Sequence, residues 1–173
     1  MLLQKYDNKW CVKDCGIIFP NFSGRAGRFN PEGSRNFNIR ITDPAIAQEL
    51  INDHFNVRLL NKLDEDAPDN WAMKVNLVWK IDQKTGKKRG PLVKEVFENR
   101  TAELNDENIH ALDQMTVKKC TVEFHAYEYE KGKCSAWMDR AKFWVVDDWF
   151  SDDEGEPIQD PLPFDVEDED IPF

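Results

Sequence analysis

From Trp71 to Ile81 every second residue is apolar: Trp71, Met73, Val75, Leu77, Trp79 and Ile81, with Lys74, Asn76 and Lys80 between them. A period of two lines one face of an extended strand and fits no helix. The pattern recurs at Phe37, Ile39 and Ile41, which alternate with Asn36, Asn38 and Arg40. It returns at Cys120, Val122, Phe124 and Ala126, with His125, Tyr127 and Tyr129 facing away. In 135–146, Trp137, Ala141, Phe143 and Val145 share one face, and Arg140, Lys142 and Trp144 the other. Aromatic residues on both sides leave the facing of these last two strands open.

Between the strands the punctuation is clear. An apolar run, Cys15 to Phe19, is stopped by Pro20, and Gly24, Gly27, Pro31 and Gly33 make 21–35 a loop. Asp43-Pro44 opens a helix with Ile46, Leu50 and Ile51 on its apolar stripe. A short strand at 56–61 precedes an acidic loop, 64–70. The basic turn 84–90 predicts that 92–100 runs back as the hairpin partner of 71–81. A short helix starts at 105–108 and carries Ile109, Leu112 and Met115; 116–130 and 135–146 form a second hairpin around Lys131-Gly132-Lys133. Many alternating strands, one helix between them and no βαβ rhythm predict a mainly β domain. The expected architecture is a small barrel of five to seven strands, of the oligonucleotide-binding (OB) type, with one or two short helices. An open sandwich would give the same alternation.

The net charge of −10 is unevenly distributed. Residues 151–173 hold ten carboxylates and no Lys or Arg, so 1–150 carries 23 acids against 23 bases. Within that neutral body, 1–41 has seven bases to three acids and 71–100 eight to three, whereas 42–70 has two to seven. Such segregation predicts a basic face and an acidic back. The division is a folded domain, 1–150, and an acidic tail, 151–173, too polar to pay for its own ordering and expected to be disordered. No apolar run reaches the ~18 residues of a membrane span, and Met1 to Lys5 contains no signal-peptide core. The expectation is a soluble, cytoplasmic protein.

Three places combine cations with rings, as a single-stranded nucleic acid requires of a surface that must hold phosphates and stack bases. The first is the loop and the strand after it: Phe22, Arg25, Arg28, Phe29, Arg35, Asn36, Asn38 and Arg40. The second is the central hairpin, with Lys74, Asn76, Lys80, Lys87, Lys88 and Arg89. The third is the last hairpin, with Tyr127, Tyr129, Arg140, Lys142 and Trp144. The spacings of Cys11, Cys15, Cys120 and Cys134 match no zinc knuckle. No catalytic triad, phosphate loop or cofactor motif is present, so neither metal, cofactor nor enzymatic activity is expected. An acidic DNA mimic and a metal-dependent nuclease are the competing readings.

The tail ends Asp168-Glu169-Asp170-Ile171-Pro172-Phe173, an acidic lead into an apolar hook, with a weaker copy at Asp160 to Phe164. This ending resembles the C-terminal tail of bacterial single-stranded-DNA-binding proteins, which recruits replication and repair enzymes. The stretch Asn21 to Phe37 is similar to a family of bacteriophage proteins with OB-like folds and the same role, and that resemblance extends over most of 15–146. Together they imply a non-enzymatic phage protein of DNA replication, recombination and repair, in the cytoplasm of an infected host. It would coat single strands and engage host or phage proteins through 168–173. A flexible segment of 23 residues spans on the order of 25 Å r.m.s.. The tail is therefore also expected to fold back over the basic groove when no DNA is bound.

Overall fold

The computed structural model describes residues 1–147; the acidic segment, its terminal hook and the boundary at 150 lie outside the described residues. In chain order the elements are β1 (Leu2–Tyr6), β2 (Lys9–Asn21), β3 (Arg35–Ile41), α1 (Pro44–Asn52), β4 (Val57–Leu59) and β5 (Trp71–Leu77). There follow β6 (Lys80–Ile81), β7 (Lys88–Arg89), β8 (Leu92–Phe97), β9 (Arg100–Leu104), a 3-10 turn (Ile109–Gln114), β10 (Thr116–Glu130) and β11 (Lys133–Asp147). Strands β5, β3, β2, β10 and β11 are antiparallel neighbours in that order. β11 then returns to β5 in parallel, Ala136 beside Val75 and Trp137 beside Asn76. That last pairing closes a five-stranded barrel, the mainly β, OB-like architecture expected from the alternation.

Most of the inward residues are the predicted ones, although Ile81, expected on the face of Met73 and Val75, is 66% exposed. Phe37, Ile39, Ile41, Met73, Val75, Val122, Phe124 and Phe143 are essentially inaccessible, each burial worth roughly 1.5–3 kcal/mol. Asp43 caps α1 by accepting the Ala45 N–H at 2.9 Å, and Ile46 and Leu50 plug the core while Ile51 turns to solvent. All four cysteines are buried and carry no disulfide. Cys15 and Cys120 face each other across β2 and β10, their sulfurs 3.3 Å apart. The hydrogen bond with Cys15, reinforced by burial, pushes the Cys120 thiol well above its ordinary pKa. Among the described residues no group of His, Cys, Asp and Glu could hold a metal ion. No helix there is long and apolar enough to cross a membrane.

Three expectations about strand partners fail, each for a physical reason. The 71–81 strand ends at Leu77, and Lys80–Ile81 pairs only with Lys88–Arg89 in a separate ribbon. Residues 92–100 do not run back along β5, because one edge of β5 is occupied by β3 and the other by β4 and β11. Instead β8 lies parallel to β11, Leu92 beside Arg140 through Phe97 beside Val145. β9 folds back on β8 through Glu98 and Asn99. Finally, β2 does not stop at Pro20. It crosses that residue through a register shift between Ile18 and Asn21, as a proline inside a strand requires.

Candidate nucleic-acid interface

Alternation that sends Phe37, Ile39, Met73 and Val75 inward must send their neighbours out. The register of β3 and β5 sets Asn36 against Asn76, Asn38 against Lys74, and Arg40 against Ala72. On the far edge of β5, Arg58 of β4 stands opposite Ala72. Its guanidinium lies over the Phe19 ring of β2, 5.7 Å from the ring centre. Phe19 sits in the register shift at Pro20, with φ +52° and more than half its surface exposed. A phenylalanine held in the left-handed region and kept in water is strained. Bulges of this kind re-aim a side chain, and such strain clusters at functional sites. Neither Phe19 nor Arg58 is singled out by the sequence reading; Pro20 inside the strand was the available signal.

The loop between β2 and β3 is pinned at its base. Phe22 is wholly buried, 5.3 Å from Phe37 and 5.4 Å from Phe143, so the expectation that it stacks on a base fails. The Asp113 carboxylate accepts the Phe22 and Ser23 N–H groups at 2.9 Å each. Gly24, at φ +73°, packs so closely on Gly33 that a Cβ would lie 3.1 Å from its backbone. Asn36 is buried and donates to Asn30 at 2.7 Å, which makes it a support for the loop rather than a contact for DNA. What the loop offers to solvent is Arg25, Arg28 and Phe29, with Arg28 5.2 Å from the Phe29 ring centre. Arg35 lies 5.7 Å from the Trp79 ring centre, and one of its terminal nitrogens is buried with no hydrogen-bond partner among the described residues.

The β10–β11 hairpin flanks the other side of β5. Tyr127 and Tyr129 point outward as expected and are exposed. A bulge pairs Glu123 with Arg140 but Phe124 with Met138, leaving Asp139 as the extra residue. It puts Ala136 and Met138 in the core and turns Trp137 to the outer face beside His125, reversing the expected facing of Trp137. Trp137 neighbours Asn76 on β5, and its indole N–H donates to the Ser135 hydroxyl at 3.0 Å. Tyr129, Lys74, Asn76 and Asn56 line one small depression there.

Further along the same hairpin the cations are occupied. Arg140 forms a 2.7 Å ion pair with Glu123, which also holds Lys9 at 3.3 Å and accepts the Tyr6 hydroxyl. Burial pushes the Glu123 carboxyl up, but Arg140, Tyr6 and Lys9 outweigh it and leave the pKa below the usual value. Burial, reinforced by the hydrogen bond to Glu123, pushes Tyr6 up to about 12. Lys142 is buried with its amine 5.4 Å from the Trp144 ring centre, and Lys119 lies 4.7 Å from the same ring. Of the expected DNA contacts here, Arg140 is thus engaged by Glu123, and the Trp144 ring by Lys142 and Lys119. In the central hairpin Lys80 and Lys87 are exposed, while Lys88 pairs with Asp106 at 2.9 Å and Arg89 with Asp82 at 3.6 Å.

A family model described as “Putative phage ssDNA-binding domain” matches residues 2–157. No curated protein sequence matches the chain. Among solved structures it is similar to the single-stranded-DNA-binding protein of bacteriophage Enc34, at 14% identity over 92% of this chain and 94% of the other, TM-score 0.46. It is similar to that protein's complex with single-stranded DNA at 15% identity, covering 81% of this chain and 88% of the other, TM-score 0.45. A single-stranded-DNA-binding protein encoded by bacteriophage T7 aligns at 10% identity over 87% of this chain and 99% of its own, TM-score 0.43.

Proposed function

Because the chain belongs to the phage single-stranded-DNA-binding family, we propose that it binds single-stranded DNA, largely without regard to sequence, on the outer face of β3 and β5. The observation that carries this reading is the strained, exposed Phe19 beneath Arg58, on a face where Arg40 and Lys74 have no carboxylate partner among the described residues. Phosphates lie along Arg40, Arg58 and Lys74, with the half-buried Asn76 beside them, and a base stacks on Phe19; Asn38, like Asn36, is buried and offers the strand little surface. Arg25, Arg28 and Phe29 form one wall. Tyr127 and Tyr129 form the other, and Lys80 and Lys87 extend the positive field beyond it.

The protein acts without catalysis, in phage DNA replication, recombination and repair. Residues 1–150 hold the strand, and the acidic segment 151–173 recruits host or phage proteins through Asp168 to Phe173. When no DNA is bound, that segment competes for the basic face, so deleting it raises affinity for DNA at low salt. Titration of tryptophan fluorescence with oligo-dT and with duplex tests the main claim. Quenching by the single strand alone is expected; equal or absent response to both would sink it. Magnesium-dependent cleavage of the single strand would favour a nuclease instead.

A further inference from the structure

The inserted hairpin opens a second site that strand pairing left uncovered. β11 has β5 at its edge up to Trp137 and β8 from Arg140 onward, and neither strand pairs with Met138 or Asp139. The chain leaves β5 at Val78 and comes back at Pro91, and the ribbon of β6 and β7 forms the far lip of the gap. The result is a cleft of about 780 Å³, within the range that holds small organic ligands. Met138 and Pro91 are buried residues on its lining, and Tyr127, Trp137 and Ile81 line it as well. Ile81 and Tyr127 are 66% and 60% exposed, a large apolar surface to keep in water.

We propose that this cleft seats a nucleobase of the bound strand, one step beyond the β3–β5 face. The proposal rests on the single-strand reading above and extends its path. Three features select a base rather than another apolar ligand. Trp137 is in register with Asn76, at the end of the outward row on β5, so a strand leaving that row meets the indole next. Lys80 and Arg89 line the hairpin side of the cleft, with Arg89 3.6 Å from Asp82 on the same lining, so the phosphates flanking an inserted base would lie beside Lys80. His125 and Asp139 also line it, joined at 3.0 Å, and give the polar edge of a base hydrogen-bonding partners. An apolar body between rings, a polar edge and flanking phosphates together describe a nucleotide.

The test is abasic scanning of an oligo-dT with the full-length chain. One abasic residue is walked along the oligonucleotide, and affinity is measured for the wild type, Ile81→Glu and the uncharged Ile81→Asn. Both substitutions are at an exposed position, and circular dichroism checks the fold. In the wild type, loss of the base at the cleft position should weaken binding roughly tenfold. In the variants that one penalty should fall below about twofold, while penalties at other positions persist. Identical abasic profiles in wild type and variants would overturn the cleft, and so would variants that weaken binding equally at every position. If the wild type binds no single strand at all, the underlying reading fails instead, and the two failures are distinguishable.

Discussion

On the outer face of β3 and β5, Arg40, Arg58 and Lys74 have no carboxylate within ion-pair distance among the described residues, and Phe19 stands exposed beneath Arg58. On the outer face of β10 and β11 the same residue types are present, but Arg140 is held by a Glu123 that is only 2% exposed. There Lys142 and Lys119 flank Trp144. Composition alone makes these faces equivalent candidates for a phosphate backbone. They differ in what a phosphate would have to displace: only water on the first, a buried carboxylate on the second. Desolvated charge is costly to unpair, so Glu123 ties Arg140 into the barrel, whereas no carboxylate among the described residues competes for Arg40, Arg58 and Lys74.

The largest effect that would sharpen this contrast comes from Glu123→Ala. It strands Arg140, Lys9 and Tyr6 and should cost about 3–5 kcal/mol of stability, read from urea unfolding, with little change in oligo-dT affinity of the folded protein. A large loss of affinity without a loss of stability would reverse the assignment of the two faces. The pair also sets an acid limit. Because the folded pKa of Glu123 lies below its ordinary 4.5, its contribution is fully present above pH 4.5 and is lost as pH falls through the folded value. Glu123→Gln should therefore flatten the acid limb of a stability–pH curve, and an unchanged limb would place the acid sensitivity elsewhere.

Next in size is the triple substitution Arg40→Ala, Arg58→Ala, Lys74→Ala. At about 1 kcal/mol per cation it should weaken oligo-dT binding roughly a hundredfold at low salt. It should also lower the slope of log affinity against log salt by about 2, while stability changes little. Phe19→Ala should cost about 1–3 kcal/mol of binding if a base stacks there. Because the Phe19 side chain is largely exposed, the folded state should lose little stability; an unaltered affinity would leave the bulge without a role. The smallest expected effect is that of Phe29→Ala at the loop tip, about 0.5–1 kcal/mol, seen in binding and absent from thermal unfolding.

Much of the fold was legible because period-two alternation reports which side of a strand is dry. Phe37, Ile39, Met73, Val75, Val122 and Phe124 are inside as that rule requires. The Asp43-Pro44 start of α1 was equally readable, since a cap is a local interaction. Arg40, Lys74, Tyr127 and Tyr129 were legible as outward residues for the same reason. Phe22 was not, because it is drawn into the core by Phe37 and Phe143, far apart in the chain. Trp137 was misplaced because one extra residue at Asp139 inverts the alternation, and a bulge leaves no mark in hydrophobic pattern.

The sequence by itself determined a β domain with its inner faces, its cation-bearing segments, and an acidic segment kept apart from them, since each depends on residue type and short spacing. The tertiary structure decided which strands are neighbours, and with that which charges meet. Arg140 finds Glu123 across β10, while the Arg58 guanidinium lies over Phe19 of β2. Pairing between strands is non-local, so the same arginine is neutralised or left available according to what the barrel brings beside it.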